Sequence, residues 1–104
     1  VANVEEFVAV DGVDVIFIGP TDLAHSLGHV GDSSHQDVRH AMDRITDVVG
    51  ASGKALGIFV GDPAEAVAWR GRGARYLCTG LEPLLSVSMK NYLETVRNTE
   101  GATQ

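Results

Sequence analysis

The chain has 104 residues, enough for one domain around one core, and its 44% apolar and 21% charged content is that of an ordinary soluble globular protein. A formal net charge of −6, with eight scattered basic residues, excludes a general affinity for nucleic acid phosphates or anionic membranes. A single cysteine, Cys78, excludes an internal disulfide, and no apolar stretch reaches the roughly 20 residues that span a bilayer.

The first residues, Val1 to Val10, carry no basic region and no cleavage site, so a signal peptide is not expected and a cytoplasmic location is the default. Val1, Val4, Phe7 and Val8 lie close to helical spacing without an N-cap, as though the chain begins inside an element. Asp11-Gly12 is a turn signal, and Val13 to Ile18 then reads as a strand. Its nearly continuous β-branched and aromatic run predicts burial on both faces, as in a parallel sheet. Gly19-Pro20 stops it, and Thr21 to Leu27 reads as a short helix capped by Thr21 or Asp22.

After a loop from Gly28 to Asp32, Ser34-His35-Gln36-Asp37 resembles a capping box with aspartate in place of glutamate. Val38, Ala41, Met42, Ile45, Val48 and Val49 share the face of the helix that follows, and Gly53 stands at its C-cap. Lys54 to Val60 is the second strand. Asp62-Pro63 is an N-cap followed by proline at the first helical position, opening a helix through Ala64, Val67 and Ala68 that ends by Gly71 or Gly73. Arg75 to Thr79 is the third strand. Glu82-Pro83 begins a last helix whose Leu85, Met89, Tyr92, Leu93 and Val96 share a face, and residues 99–104 read as a polar tail after a domain of residues 1–98.

This α-β-α-β-α-β-α order, with short connections, implies a parallel sheet. Three strands, apolar on both faces, leave free edges that need further strands or partner chains. In such folds the functional loops follow the strand carboxyl ends: here Gly19-Pro20-Thr21-Asp22, Gly61-Asp62-Pro63 and Gly80-Leu81-Glu82-Pro83. Two readings of Asp22 stay open from the residues alone: a helix N-cap, or an oxygen ligand for a hard divalent cation. Asp62 reads as a cap, and Glu82 as a helix start. His25 and His29 have the i, i+4 spacing of a metal pair, but Gly28 interrupts the helix that would hold them. His35 and His40 are expected to be solvated, Cys78 to be a buried inert thiol, and Trp69 and Tyr92 to pack between elements.

Val13 to Ala24, with Ser26-Leu27-Gly28 after it, resembles the signature of the HpcH/HpaI aldolase family. The likeness continues through Gly53-Lys54-Ala55, Gly57-Ile58, Gly73 to Leu77 and Gly80. It implies an α/β fold, the C-terminal three strand–helix units (strands six to eight) of a (β/α)8 TIM barrel of the phosphoenolpyruvate/pyruvate type. It also implies a class II carbon–carbon lyase that cleaves 2-keto-3-deoxy or 4-hydroxy-2-oxo acids to pyruvate and an aldehyde, with the sugar-acid aldolases as the nearest likeness. Asp22 would ligate a divalent cation (magnesium, manganese or cobalt), while Gly19, Pro20 and Thr21 would meet the pyruvate carboxylate and Phe59 or Val60 would flank the small-molecule keto acid.

The family's second metal carboxylate, its base histidine and its substrate arginine lie on strands upstream of this chain, so no catalytic residue can be mapped onto it. The chain alone is therefore expected to be inactive and to form a homo-oligomer or pair with a complementing chain. Two other readings remain: a non-catalytic assembly module of the same fold, and a citrate-lyase-like metal enzyme.

Overall fold

The apolar runs after each glycine-containing turn become strands; the first two are shorter than their sequence pattern, and the third keeps its length but starts one residue earlier. A computed structural model describes residues 1–102. In chain order it contains helix α1 (Val4–Val8), strand β1 (Val15–Ile18), helices α2 (Pro20–Ser26) and α3 (Gln36–Ser52), strand β2 (Ala55–Phe59), helix α4 (Pro63–Gly71), strand β3 (Ala74–Cys78) and helix α5 (Leu81–Ala102). The three strands form one parallel sheet in the order β1-β2-β3, with Phe17 beside Gly57 and Ile58 beside Leu77. A register shift at Leu56/Gly57 lets Ala74 and Tyr76 pair with consecutive residues of β2, so Arg75 is passed over.

Side chains alternate across the sheet. Ile18, Leu56, Ile58, Val60 and Ala74 point to the side covered by helices, where Ala24, Val38, Met42, Val49 and Trp69 complete the core. The opposite side is bare: Phe17 is 44% exposed and Phe59 40%, and Val15 and Tyr76 are exposed beside them. Burial on both faces was the expectation, and only one face meets it, because no element among the described residues lies over the other. The Phe17 and Tyr76 rings meet edge to face on that bare side with centroids 5.8 Å apart.

Gly57 sits between them. A Cβ added there would lie 2.8 Å from Phe17 Cδ2, 3.0 Å from Tyr76 Cδ1 and 3.1 Å from Val15 Cγ1. Gly57→Ala is therefore expected to lower stability by about 1–3 kcal/mol, the usual range for overpacking, although alanine suits a strand better than glycine. Urea titration of the protein extended upstream measures this, and an unchanged midpoint would show that the two rings yield freely.

The helix ends show what the chain's local chemistry selects. α3 ends at Gly53, whose φ of +78° is the left-handed C-cap expected of it. Its start differs from the capping-box expectation. Ser34 Oγ donates to Asp32 Oδ1 at 2.7 Å, so His35 becomes the N-cap and its Nδ1 accepts the Asp37 amide at 3.1 Å.

α4 starts as read: Asp62 Oδ1 accepts from the amides of Ala64 (2.6 Å) and Glu65 (3.2 Å), with Pro63 at the first position. Asp62→Ala should lower stability by about 1 kcal/mol; Asp62→Asn, which keeps the cap, should not, and equal losses in the two would contradict the capping role. The inward face of α4 is Ala66 and Trp69, while Val67 is 71% exposed.

Long-range polar contacts fix the outer layer. Arg44 Nη2 donates to Glu5 Oε1 at 2.6 Å, tying α3 to α1, and Arg72 pairs with Asp43 while lying 4.0 Å from the Trp69 ring centroid. Lys54 Nζ donates to the carbonyls of Val10 and Val13, closing the turn before β1.

α5 runs unbroken from Leu81 to Ala102, through the boundary read at residue 98, and residues 103 and 104 of the expected tail lie outside the described residues. Its apolar stripe is uncovered: Leu85, Met89, Leu93 and Val96 are exposed, and Tyr92, expected to pack, is 70% exposed. Among the described residues no helix is long and apolar enough to cross a membrane.

Candidate functional site

Parallel strands bring the loops after β1 and β2 to the same end of the sheet. At the first, the fixed φ of proline decides the geometry. Pro20 takes the first helical position, Gly19 is the extended N-cap with φ −100° and ψ 98°, and Asp22 becomes the third residue of α2. Neither Thr21 nor Asp22 is the cap, which corrects the capping expectation. Among the described residues the Asp22 carboxylate takes part in no side-chain hydrogen bond or ion pair. It folds back over Gly19, where an added Cβ would stand 3.1 Å from Asp22 Oδ2.

Asp22 and Gly19 line a groove of about 470 Å³ with Phe17, Leu23, Ser26 and Ile45. None of these residues comes from β2, so the groove lies on the unpaired side of β1. The other expected binding residues meet elsewhere. Pro20, Thr21 and Phe59 line a cavity of about 350 Å³, together with Arg39, Glu65 and Trp69. Sequence reading did not single out Arg39. It lies in the first turn of α3, and only the return of the chain through Ser33 and Ser34, which also line this cavity, brings it beside Thr21.

The remaining candidates separate from this rim. α2 ends at Ser26 and Gly28 has φ +83°, so His25 and His29 do not share a helix face. His29 turns instead to Asp37, with Nε2 2.9 Å from Oδ2, and stacks on His35 with ring centroids 3.5 Å apart and planes 13° from parallel. Both rings are half-buried, so His35 is not the solvated residue expected, whereas His40 is exposed. The hydrogen bond from His29, reinforced by the charges of His35 and His29, holds the Asp37 carboxyl below the usual carboxylate range. A depressed carboxyl stabilises the fold above its unfolded value near 3.8 and loses that contribution as pH falls through the folded value. Cys78 is half-buried on the bare side of the sheet, more open than expected. Glu82 accepts from Ser86 Oγ at 3.1 Å within α5, as a helix-start residue does.

Asp22 suits a hard divalent cation: its oxygens are exposed and unengaged, and an adjacent glycine leaves them room. One carboxylate is a partial ligand set, since such ions usually take six or more oxygens. The open edge of β1 is where further donors can approach.

A parallel sheet with helices on one face, polar loops at its carboxyl ends and a bare inner face is a sector of a barrel of alternating strands and helices. The chain belongs to the HpcH/HpaI aldolase/citrate lyase family, whose family model matches residues 1–87. It is 42% identical over 97 residues to a hydroxypyruvate/pyruvate aldolase of Paraburkholderia phytofirmans, covering 92% of this chain and 37% of that protein. It is also 42% identical over 80 residues to a 5-keto-4-deoxy-D-glucarate aldolase of Escherichia coli O9:H4, covering 77% of this chain and 31% of that one.

Among solved structures, an HpcH/HpaI aldolase/citrate lyase family protein from Burkholderia cenocepacia J2315 superposes with a TM-score of 0.86 at 41% identity, covering 92% of this chain and 38% of that chain. An HpcH/HpaI aldolase from Desulfitobacterium hafniense DCB-2 gives 0.72 at 28% identity over 93% of this chain and 39% of that one. The chain thus spans less than two fifths of the length of these relatives, and its fold is three strand–helix units of their (β/α)8 barrel.

Proposed function

We propose that this chain is part of a metal-dependent pyruvate aldolase, with Asp22 as one ligand of a magnesium, manganese or cobalt ion. The substrate class is a 2-keto-3-deoxy or 4-hydroxy-2-oxo acid, split to pyruvate and an aldehyde. The observation that carries this reading is the placement of Asp22: at the carboxyl end of β1, on its unpaired side, with a carboxylate that caps nothing. The names of the relatives, hydroxypyruvate/pyruvate aldolase and 5-keto-4-deoxy-D-glucarate aldolase, support the substrate class.

In this reading the residues at the rim have separate tasks. Gly19 leaves space for the Asp22 carboxylate, and Pro20 fixes the turn that aims it. The amide and hydroxyl of Thr21 are donors for a substrate carboxylate, and Phe59, which lines the same cavity, would flank the substrate. Lewis-acid stabilisation of the enolate that forms as the carbon–carbon bond breaks is the chemistry such a cation supplies when bound. Proton transfer has no assigned group in this chain, which is why the chain alone is inactive in this proposal. A cytoplasmic setting, and association with further copies or a complementing chain, belong to the same reading.

A second reading, a non-catalytic assembly module, is favoured by the bare apolar stripe of α5. One assay separates the two: pyruvate release from a 2-keto-3-deoxy sugar acid with manganese, comparing this chain with one extended upstream through the rest of the barrel. Activity in the extended chain alone is the expected result. Activity in neither points to the assembly module or another substrate class, and activity in this chain alone overturns the account of the missing ligands.

A further inference from the structure

We infer that His29, His35 and Asp37 form a second metal site, one for a borderline divalent cation such as zinc, set apart from the Asp22 rim. The three residues offer ligand atoms that all lie within 4.8 Å of one another, and Asp22 is not among them. Two imidazoles and a carboxylate are a donor set that zinc takes with an open fourth position, whereas the hard ions suited to Asp22 prefer oxygen alone.

The spacing fits such an ion. Asp37 Oδ2 lies 2.9 Å from His29 Nε2 and 3.7 Å from His35 Nδ1. A tetrahedral zinc with bonds of about 2.0–2.1 Å holds its ligand atoms about 3.3 Å apart, midway between the two. Each ligand is placed by backbone geometry that does not depend on the ion. The His29 amide donates to the Ala24 carbonyl at 2.9 Å, just past the left-handed Gly28. His35 is the N-cap of α3, and Asp37 lies in the first turn.

Charge and proton balance follow. His35 Nδ1 accepts the Asp37 amide, so its proton sits on Nε2, while His29 donates from Nε2 to the carboxylate. Binding takes His29 in its other neutral tautomer: the Nε2 proton leaves to solvent while Nδ1 takes one up, so no net proton is released, and the His35 Nδ1 lone pair turns from the amide to the ion. In parallel rings the lone pairs run side by side, so the two rings fan apart about their terminal torsions as the ion enters. A cation is disfavoured at a helix N-terminus, and two carboxylates offset this. Asp37 is one. Asp32 is the other; its carboxyl is held low chiefly by the Ser34 hydroxyl and also by the nearby His35 and His29.

The ion would fasten the loop between α2 and α3 to the start of α3. That loop includes Ser33 and Ser34 of the cavity beside Thr21, so the site stiffens one wall of it. The inference does not depend on the aldolase reading.

The test is titration of the upstream-extended protein carrying Asp22→Ala with zinc by calorimetry, and with cobalt by visible absorption. The expected result is one equivalent bound with the intense absorption of tetrahedral cobalt, and binding at least about 10-fold weaker in both His29→Gln and His35→Asn. His35→Asn keeps an N-cap, and His29→Gln keeps a donor for Asp37, so circular dichroism should show both folded. Binding of zinc that is undiminished in either variant, or no binding at all, overturns the site. A residual second equivalent that survives both histidine variants would count against the Asp22 assignment only.

Discussion

Replacing Asp22 with alanine in the protein extended upstream is expected to reduce manganese-dependent pyruvate release by more than about 100-fold, while folding stability changes by no more than about 0.5 kcal/mol. The two halves of this expectation rest on one placement. Asp22 is the third residue of α2, its side chain is exposed, and it satisfies no backbone amide, so its removal leaves no cavity and no orphaned donor. A surface carboxylate with these properties contributes little to the fold.

As a metal ligand, by contrast, it does more than a residue that merely orients one, and losing an orienting partner already costs about 10–100-fold. Manganese affinity measured alongside activity separates the roles: both should fall together, and excess manganese should recover part of the rate. Unchanged activity at modest manganese would sink the ligand assignment. A large loss of stability would show instead that Asp22 holds the turn after β1.

The turn at Asp22 also shows where the sequence was legible and where it was not. The three strands were readable because each is a short apolar run closed by glycine, and α3 because its apolar residues recur at helical spacing from Val38 to Val49. Asp62-Pro63 announced α4 correctly, since an aspartate directly before a proline has one strongly favoured role. The same logic failed at Thr21 and Asp22, because Pro20 occupies the first helical position ahead of them and pushes the cap back to Gly19.

It failed again at Ser34, whose hydroxyl turns to Asp32 and leaves His35 to cap α3. Both errors came from competition within four residues that propensity does not rank. The His29–His35–Asp37 cluster and the position of Arg39 were beyond reach for a different reason. They depend on how the loop between α2 and α3 returns across the core, a path set by packing of Ala24, Val38 and Met42.

Purified by itself, the chain is expected to be oligomeric or partly unfolded, not a cooperatively melting monomer. The argument is one of surface. A folded monomer of 11.0 kDa exposes about 5,600 Å², and this one exposes 7295 Å². The excess, about 1,700 Å² on one chain, is roughly twice the 800 Å² or so that each partner buries in a standard protein–protein interface. Shape tells the same story: the radius of gyration is 17.9 Å, against about 13 Å for a compact chain of this length.

The excess sits in two places, the bare side of the sheet around Val15, Phe17, Phe59 and Tyr76, and the α5 stripe from Leu84 to Val96. Apolar surface on that scale drives association unless other strands cover it, and the unpaired edges of β1 and β3 add main-chain groups ready to pair. Light scattering and calorimetry decide the matter. Association that weakens when Leu85 and Leu93 are changed to lysine would place the contact on α5. Association that those changes leave intact would place it on the sheet. A monodisperse monomer with a sharp calorimetric transition would mean that the sheet and α5 close on each other in solution, and the barrel-sector account of the bare face would have to be abandoned.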